Sequence, residues 1–155
     1  MKPLVLHLIT TLSSGGAEAM LHKLMAYNST NSQFRHKVVC LTDSGLYGPR
    51  LEALGIPVTC LNMHRSRLFG VIRILPILRR WRPAILQTWL YHADFLGLIA
   101  GRCLRVPKIV WNIRCSDMDL TQYALTTRFI FALLSRLSGF PDTIIFNSHA
   151  GKNFH

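Results

Sequence analysis

The sequence is poor in acidic residues: it has 7 Asp and Glu against 18 Lys and Arg, which gives a formal net charge of +11 at neutral pH. Such an excess favours contact with polyanions, which include phosphorylated substrates, anionic lipid and nucleic acid. No acidic residue occurs between Ala53 and Ala93, where arginines are frequent. The charge indicates a class of partner and says little about the fold.

Long apolar runs are also missing, although 50% of the residues are hydrophobic. Arg73, Arg79 and Asp94 interrupt the hydrophobic middle of the chain, so no run reaches the roughly 18 residues that span a bilayer. The hydrophobic content excludes a disordered chain. We expect one globular domain over residues 1–155, lying on a membrane at most and not crossing it.

Closely spaced cysteines are absent. Cys40, Cys60, Cys103 and Cys115 are far apart in sequence and form no C-x-x-C pair. A chain long enough to bury its own core needs no disulfide framework. We therefore expect a reduced, cytoplasmic setting and no metal site.

Strand and helix patterns alternate along the chain. Apolar runs predict strands at 3–9, 36–42, 55–61, 84–90, 107–113 and 142–147, with helices at 17–27, 48–54, 65–81, 91–105 and 121–138. Gly55 is expected to end the second helix, and Pro76 to kink or divide the third. Alternation of this kind predicts βαβ units. The expected fold is a three-layer, Rossmann-like α/β domain with a mainly parallel sheet flanked by helices.

The turn "SSGGAE" joins the first strand to the first helix. Backbone amides at Gly15 and Gly16 can approach an anion there, and the helix dipole favours negative charge. A simple tight corner is an equal alternative, because G-x-G-x-x-G and G-x-x-x-x-G-K-[ST] are both absent. A signal peptide is a third interpretation of residues 2–19, although polar residues interrupt its apolar part.

The segment "YHAD", Tyr91 to Asp94, lies where the fourth strand meets its helix. His92 is a candidate donor to an acceptor hydroxyl or phosphate, and Asp94 a candidate acceptor or base. The alternative is structural, with Asp94 capping the helix and His92 partly exposed.

The arginine-rich segment 65–82 has the composition of a helix that lies on anionic lipid. The residues expected to contact the membrane are Arg73, Arg79, Arg80 and Arg82. An ordinary sheet-covering helix with solvated arginines is the alternative, and both roles are compatible. Nucleic acid is not expected, because aromatic residues interleaved with the arginines are sparse.

Three passages together resemble a known family: "TTLSSGGAEAMLHKLM", "RPAILQTWLYHADFLGLIAGRCLRVPKIVWNIR" and "IIFNSHAGKNFH". They are similar to the N-terminal, acceptor-side domain of family 4 (group 1) glycosyltransferases of GT-B fold. The resemblance implies a second, donor-binding C-terminal domain that this chain does not contain, so the fragment alone is expected to be inactive. It also implies a nucleotide-sugar co-substrate and no tightly held metal or other cofactor.

Carried onto this sequence, the resemblance makes Gly15 and Gly16 face the donor diphosphate. It assigns acceptor binding to Tyr91, His92, Asp94, Arg114 and Ser116, and makes His92, Asp94 and Arg114 the catalytic candidates. Arg114 stands where many relatives carry a histidine, which puts a histidine-dependent role in doubt. Glu18 is better explained as a carboxylate that stabilises the first helical turn.

The resulting hypothesis is half of a retaining enzyme of bacterial envelope or capsule biosynthesis. It would transfer a sugar to a lipid-linked or polysaccharide acceptor at the inner face of the cytoplasmic membrane. A non-catalytic basic module that binds a membrane or protein partner is the alternative. A dinucleotide-dependent oxidoreductase is weaker, since Asp43 is the only acidic candidate after the second strand.

Overall fold

The computed structural model describes residues 2–63, 70–113 and 125–146, with the side chains of 30, 31 and 125–127 left undescribed. Within these ranges, strands and helices alternate as the sequence predicts. The strands are β1 (Leu4–Ile9), β2 (Arg35–Cys40), β3 (Val58–Cys60), β4 (Ile85–Trp89), β5 (Lys108–Ile113) and β6 (Thr143–Phe146). The helices are α1 (Gly16–Asn31), α2 (Tyr47–Ala53), α3 (Gly70–Trp81), α4 (Tyr91–Cys103) and α5 (Leu125–Leu137).

The six strands form one sheet in the order β3-β2-β1-β4-β5-β6, and every neighbouring pair is parallel. The strand β1 is central, and all six of its residues are buried. Continuous burial of this kind is typical of a parallel strand covered on both faces. The predicted Rossmann-like α/β fold is confirmed.

Helices cover the two faces of the sheet unequally. On one face, Leu21 and Met25 of α1 and Leu51 of α2 pack against Val38 and Ile9. On the opposite face, α3 and α4 pack against the alternate strand residues, among them Leu8 and Val39. Each such large side chain contributes roughly 1.5–3 kcal/mol when it is removed from water. The helix α5 extends this second layer over β5 and β6.

The helix α3 is continuous through Pro76. Of the two outcomes expected at Pro76, division into two helices is therefore wrong, and a kink stays a prediction. Ile74 and Leu78 are buried, whereas Ile72 is 65% exposed. At the end of α2, Gly55 adopts φ +76° and its amide donates to the Glu52 carbonyl at 2.8 Å, so the predicted end cap is confirmed.

Along the described ranges, no helix combines the length and apolar character that crossing a bilayer requires.

Candidate functional site

The strand order reverses between β1 and β4, whose following helices lie on opposite faces of the sheet. In open α/β sheets a ligand crevice forms at such a position, beyond the carboxyl ends of the strands. The two sides are joined by a buried hydrogen bond, in which the Ala93 amide donates to the Thr10 hydroxyl at 3.2 Å. This crevice is the candidate functional site.

The turn after β1 forms one wall of the crevice. Its backbone is held by the Thr11 hydroxyl, which accepts from the Ser13 amide at 3.2 Å and bonds to the Ser13 hydroxyl at 2.8 Å. Gly15 is the N-cap of α1 and makes no side-chain cap. Gly16 is exposed, and nothing would meet a Cβ added to it within 4 Å. The start of α1 therefore leaves open space on the Cβ side of Gly16.

The Glu18 side chain packs against the start of α1. Its side chain is only 4% exposed, and its carboxylate folds back against the backbone of Gly15. A carboxylate at this end of a helix offsets the partial positive charge of the first turn. The placement favours the structural interpretation of Glu18, whose carboxylate occupies the space that a Cβ on Gly15 would take.

Leu90 begins the opposite wall, with φ +73° and ψ +146° at the junction of β4 and α4. A side chain in this backbone region costs of order 1–3 kcal/mol, and such strain is concentrated at functional positions. No sequence pattern identifies Leu90, because leucine has no preference for positive φ. It is the site residue that sequence reasoning missed.

The first turn of α4 is more buried than the sequence suggested. Tyr91 is 9% exposed, His92 8% and Asp94 1%. The alternative in which His92 is a partly exposed side chain is thus corrected. Asp94 does not cap the helix, since its Oδ1 accepts from the buried Thr88 hydroxyl at 2.5 Å. Its position suits supporting the wall better than touching an acceptor.

Asp94 faces a pocket of about 40 Å³ beneath α4, here called the α5-side pocket. Tyr91, Trp111 and Leu134 also line it. Desolvation by burial raises the pKa of Asp94 to about 8, against which the Thr88 hydrogen bond acts weakly. Among the described residues, neither Asp94 Oδ2 nor Trp111 Nε1 has a hydrogen-bond partner. The carboxyl is consequently protonated and neutral at pH 7.

A larger cleft of about 420 Å³ lies on the other face, beside α1, and is here called the α1-side cleft. Apolar lining comes from Met20 and Leu24 of α1 and from Trp89 of β4. Its polar lining residues are His7, Asn28, His36, Gln87 and Asn112. Apolar walls with a few convergent polar groups are typical of small-molecule sites.

His7 and His36 form a hydrogen-bonded chain in this cleft. Trp89 Nε1 donates to His7 Nδ1 at 3.3 Å, and His7 Nε2 lies 3.1 Å from His36 Nδ1. Because indole only donates, the proton of His7 is on Nε2 and points at His36. His36 then donates through Nε2 to the Ser32 hydroxyl at 2.8 Å. Burial lowers the pKa of His7 to about 3, with a further contribution from His36. The His7 ring is therefore neutral at pH 7, and burial also lowers the pKa of His36.

The remaining predicted site residues divide into two groups. Arg114 and Ser116 lie outside the described residues. The arginines expected at a membrane are all exposed: Arg73, Arg79, Arg80 and Arg82. Arg73 also donates to the Leu61 carbonyl at 2.6 Å, so it has a structural role of its own. Within the described ranges no three His, Cys, Asp or Glu side chains are grouped as metal ligands.

No family model and no curated protein matches the chain. Three solved structures of Anabaena HepE do. The complex with UDP has a TM-score of 0.72 at 21% identity, covering 96% of this chain and 39% of HepE. The complex with UDP and glucose has a TM-score of 0.73 at 20% identity, and the match covers 97% of this chain and 40% of HepE. The complex with UDP-glucose has a TM-score of 0.72 at 22% identity, and the match covers 97% of this chain and 39% of HepE.

Identities this low establish the fold alone. The chain has the Rossmann-like fold of one half of a GT-B architecture. It spans 39–40% of the length of the HepE chains that it matches. The part of the resemblance that concerned fold is thereby confirmed, whereas membership of family 4 stays a prediction.

Proposed function

We propose that this chain is the acceptor-side half of a glycosyltransferase that takes its sugar from a nucleotide-sugar donor. The observation that carries the proposal is the place of the Gly15–Gly16 turn, which joins the carboxyl end of β1 to α1 beside the crevice between β1 and β4, with Gly16 exposed. Helix N-termini of this kind stabilise phosphate groups. The shared fold with HepE, whose structures hold UDP and UDP-glucose, supports the same substrate class.

In this proposal the first turn of α1 stabilises the negative charge that develops on the departing diphosphate. The wall formed by Leu90, Tyr91 and His92 holds the acceptor, and Asp94 supports that wall from below. Arg114 and Ser116 complete the acceptor side. The sugar is transferred with retention of configuration, and a second domain supplies most donor contacts. A tightly held metal is not part of the mechanism.

We further propose that the acceptor is lipid-linked or a polysaccharide of the bacterial envelope, and that the protein works at the inner membrane face. Support comes from the last turn of α3, where Arg79 and Arg80 are exposed. Arg82 follows directly, and Ile72 on the same helix is 65% exposed. Exposed arginines with an apolar side chain suit the headgroup region of anionic lipid.

The phosphate role is tested at Gly16 in the full-length protein, where the gene encodes a continuation. Titration with UDP and UDP-glucose should show at least about tenfold weaker binding in Gly16→Asp, since a carboxylate at this position repels the diphosphate. Gly16→Ala is the matched control and should bind within about twofold of the parent, because its Cβ meets nothing.

Thermal unfolding separates this effect from damage to the fold. An aspartate in the first helical turn stabilises α1, so Gly16→Asp should melt no lower than Gly16→Ala. Equal donor binding by the two variants would overturn the diphosphate assignment. A continuation that encodes no second α/β domain would instead favour the non-catalytic basic module.

Membrane association is tested by sedimentation with vesicles. The chain should sediment with anionic vesicles and not with neutral ones, and Arg79→Glu/Arg80→Glu/Arg82→Glu should abolish this. The matched control is Lys23→Glu/Arg50→Glu/Arg128→Glu, which changes the net charge equally at exposed positions elsewhere. Equal loss in both variants would mean that net charge, and not this surface, determines binding.

A further inference from the structure

Two cysteines that are distant in sequence are direct neighbours in the sheet. Cys40 ends β2 and Cys60 ends β3, and the parallel register pairs them. Adjacent strands lie about 4.8 Å apart, within the roughly 4.4–6.8 Å Cα separation of disulfides. Paired residues of this kind project from the same face. Both side chains accordingly pack in the cluster beneath α1 and α2.

We propose that Cys40 and Cys60 are a reversible disulfide site, oxidised by low-molecular-weight disulfides such as oxidised glutathione. The proposal is separate from the transferase function and does not depend on it. Disulfides in cytoplasmic proteins, where they occur, are mostly transient or redox-sensing. A pair at the carboxyl edge of the sheet, beside the crevice, suits such a role.

The order of steps follows from exposure, because Cys60 is half-buried and Cys40 is fully buried. The Cys60 thiolate attacks one sulfur of oxidised glutathione, which forms a mixed disulfide and releases one glutathione thiolate. The Cys40 thiolate then attacks the Cys60 sulfur and expels the second glutathione. Two electrons pass from the protein to the glutathione disulfide, and the two released thiolates take up the two thiol protons.

The surroundings slow the oxidation of the pair. Burial raises the pKa of Cys40 to about 11, and burial followed by the charge of Asp43 raises that of Cys60. Since the thiolate is the reacting form, exchange is slow at neutral pH and accelerates as the pH rises. The site therefore responds to sustained oxidation and not to brief exposure.

The loop after β2 connects the cysteine pair to the crevice. The Cys40 thiol donates to the Asp43 carbonyl at 3.1 Å, and disulfide formation removes that donor. The same loop touches the turn after β1: a Cβ on Gly45 would overlap the Leu12 carbonyl, and the Tyr47 amide donates to that carbonyl at 2.9 Å. The disulfide thus alters the support of the turn that carries Gly15.

The test uses the full chain with the other two cysteines replaced, Cys103→Ser/Cys115→Ser. It is equilibrated at about pH 8.5, where thiolates form more readily, in glutathione buffers of increasing oxidised fraction. The expected result is joint loss of both thiols, a mass lower by two hydrogen atoms, and one peptide pair linked through Cys40 and Cys60. Adding Cys60→Ser should leave the Cys40 thiol free.

Two results would overturn the proposal. One is a stable glutathione adduct on Cys60 while Cys40 stays reduced, and the other is two free thiols in the most oxidising buffer. If the substituted chain does not fold, the same linked peptides are sought in the unsubstituted chain. Coupling to the crevice predicts altered hydrogen exchange at the amides of Ser13 to Gly16 on oxidation, and unchanged exchange would contradict that part.

Discussion

The two faces of the sheet each bury an ionisable side chain beside β4, and they satisfy it differently. On the α1 side, both ring nitrogens of His7 are hydrogen-bonded, to Trp89 and His36. On the opposite side, within the described part of the chain, only one oxygen of Asp94 is bonded, and Oδ2 has no partner. A buried polar group without a partner costs about 1–3 kcal/mol. The hydrogen bonds of His7 are therefore satisfied, whereas the unpartnered oxygen of Asp94 lowers the stability of the fold beneath the wall of the candidate site.

This difference also sets opposite responses to pH. The folded-state pKa of Asp94, about 8, lies above the ordinary value of 3.8, so the unfolded chain holds fewer protons between these values and stability falls as the pH rises. The folded-state pKa of His7, about 3, lies below 6.5, so stability falls as the pH drops through this range. Between about pH 4 and 6.5 the two effects oppose each other.

The largest expected effect comes from Asp94→Asn. The amide keeps an oxygen for the Thr88 hydroxyl and needs no proton on folding, which should raise the free energy of unfolding at pH 7 by about 4 kcal/mol. Its buried N–H groups, which replace the unpartnered Oδ2, should offset about 1–3 kcal/mol of that gain. The gain should shrink by about 1.4 kcal/mol for each unit of pH below 7. Urea unfolding at pH 5, 6 and 7 measures it. A gain independent of pH would show that Asp94 is not protonated on folding.

The next effect is acid destabilisation through His7, measured with Asp94→Asn present so that the opposing titration is removed. Between pH 7 and 5 the free energy of unfolding should fall by about 2 kcal/mol, because only the unfolded chain accepts the proton. His7→Gln in the same background keeps an acceptor and a donor without titrating, and it should flatten this slope. His36, whose pKa burial also lowers, accounts for any remaining slope.

The smallest expected effect is the difference in unfolding free energy between Phe substitutions at two buried tryptophans, Trp89 and Trp111. Trp89→Phe and Trp111→Phe both lose packing in the core. Trp89→Phe also removes the donor to His7 Nδ1, whereas the Trp111 N–H has no partner among the described residues, so Trp89→Phe should cost about 1–2 kcal/mol more than Trp111→Phe. Chemical unfolding at pH 7 measures both. Equal costs would indicate that lost packing alone explains them, and would remove the contrast between the faces.

Periodicity and turn residues were sufficient to predict most of the fold. Every predicted strand and helix is present, because apolar runs, Gly55 and the proline-bounded junctions are local signals. Pro76 is the exception: it lies inside α3, between the buried Ile74 and Leu78. Tertiary packing of an amphipathic face outweighs a local helix penalty in such a position.

The candidate site was predictable only in part. The turn at Gly15 and Gly16 was found from the sequence, since its residue types and its place between strand and helix are local. The strain at Leu90, the contact of Asp94 with Thr88 and the pairing of Cys40 with Cys60 were not. Each depends on which strands are neighbours and on which side of α4 faces the sheet.

The sequence by itself determined the alternation of elements, the strong positive charge and the place of the glycine turn. Those properties depend on residue type and on spacing within a few residues. Only the tertiary structure decided the order of the strands, and with it the crevice between β1 and β4. Burial then decided ionisation: the same fold that removes His7 and Asp94 from water holds one as a neutral base and the other as a neutral acid.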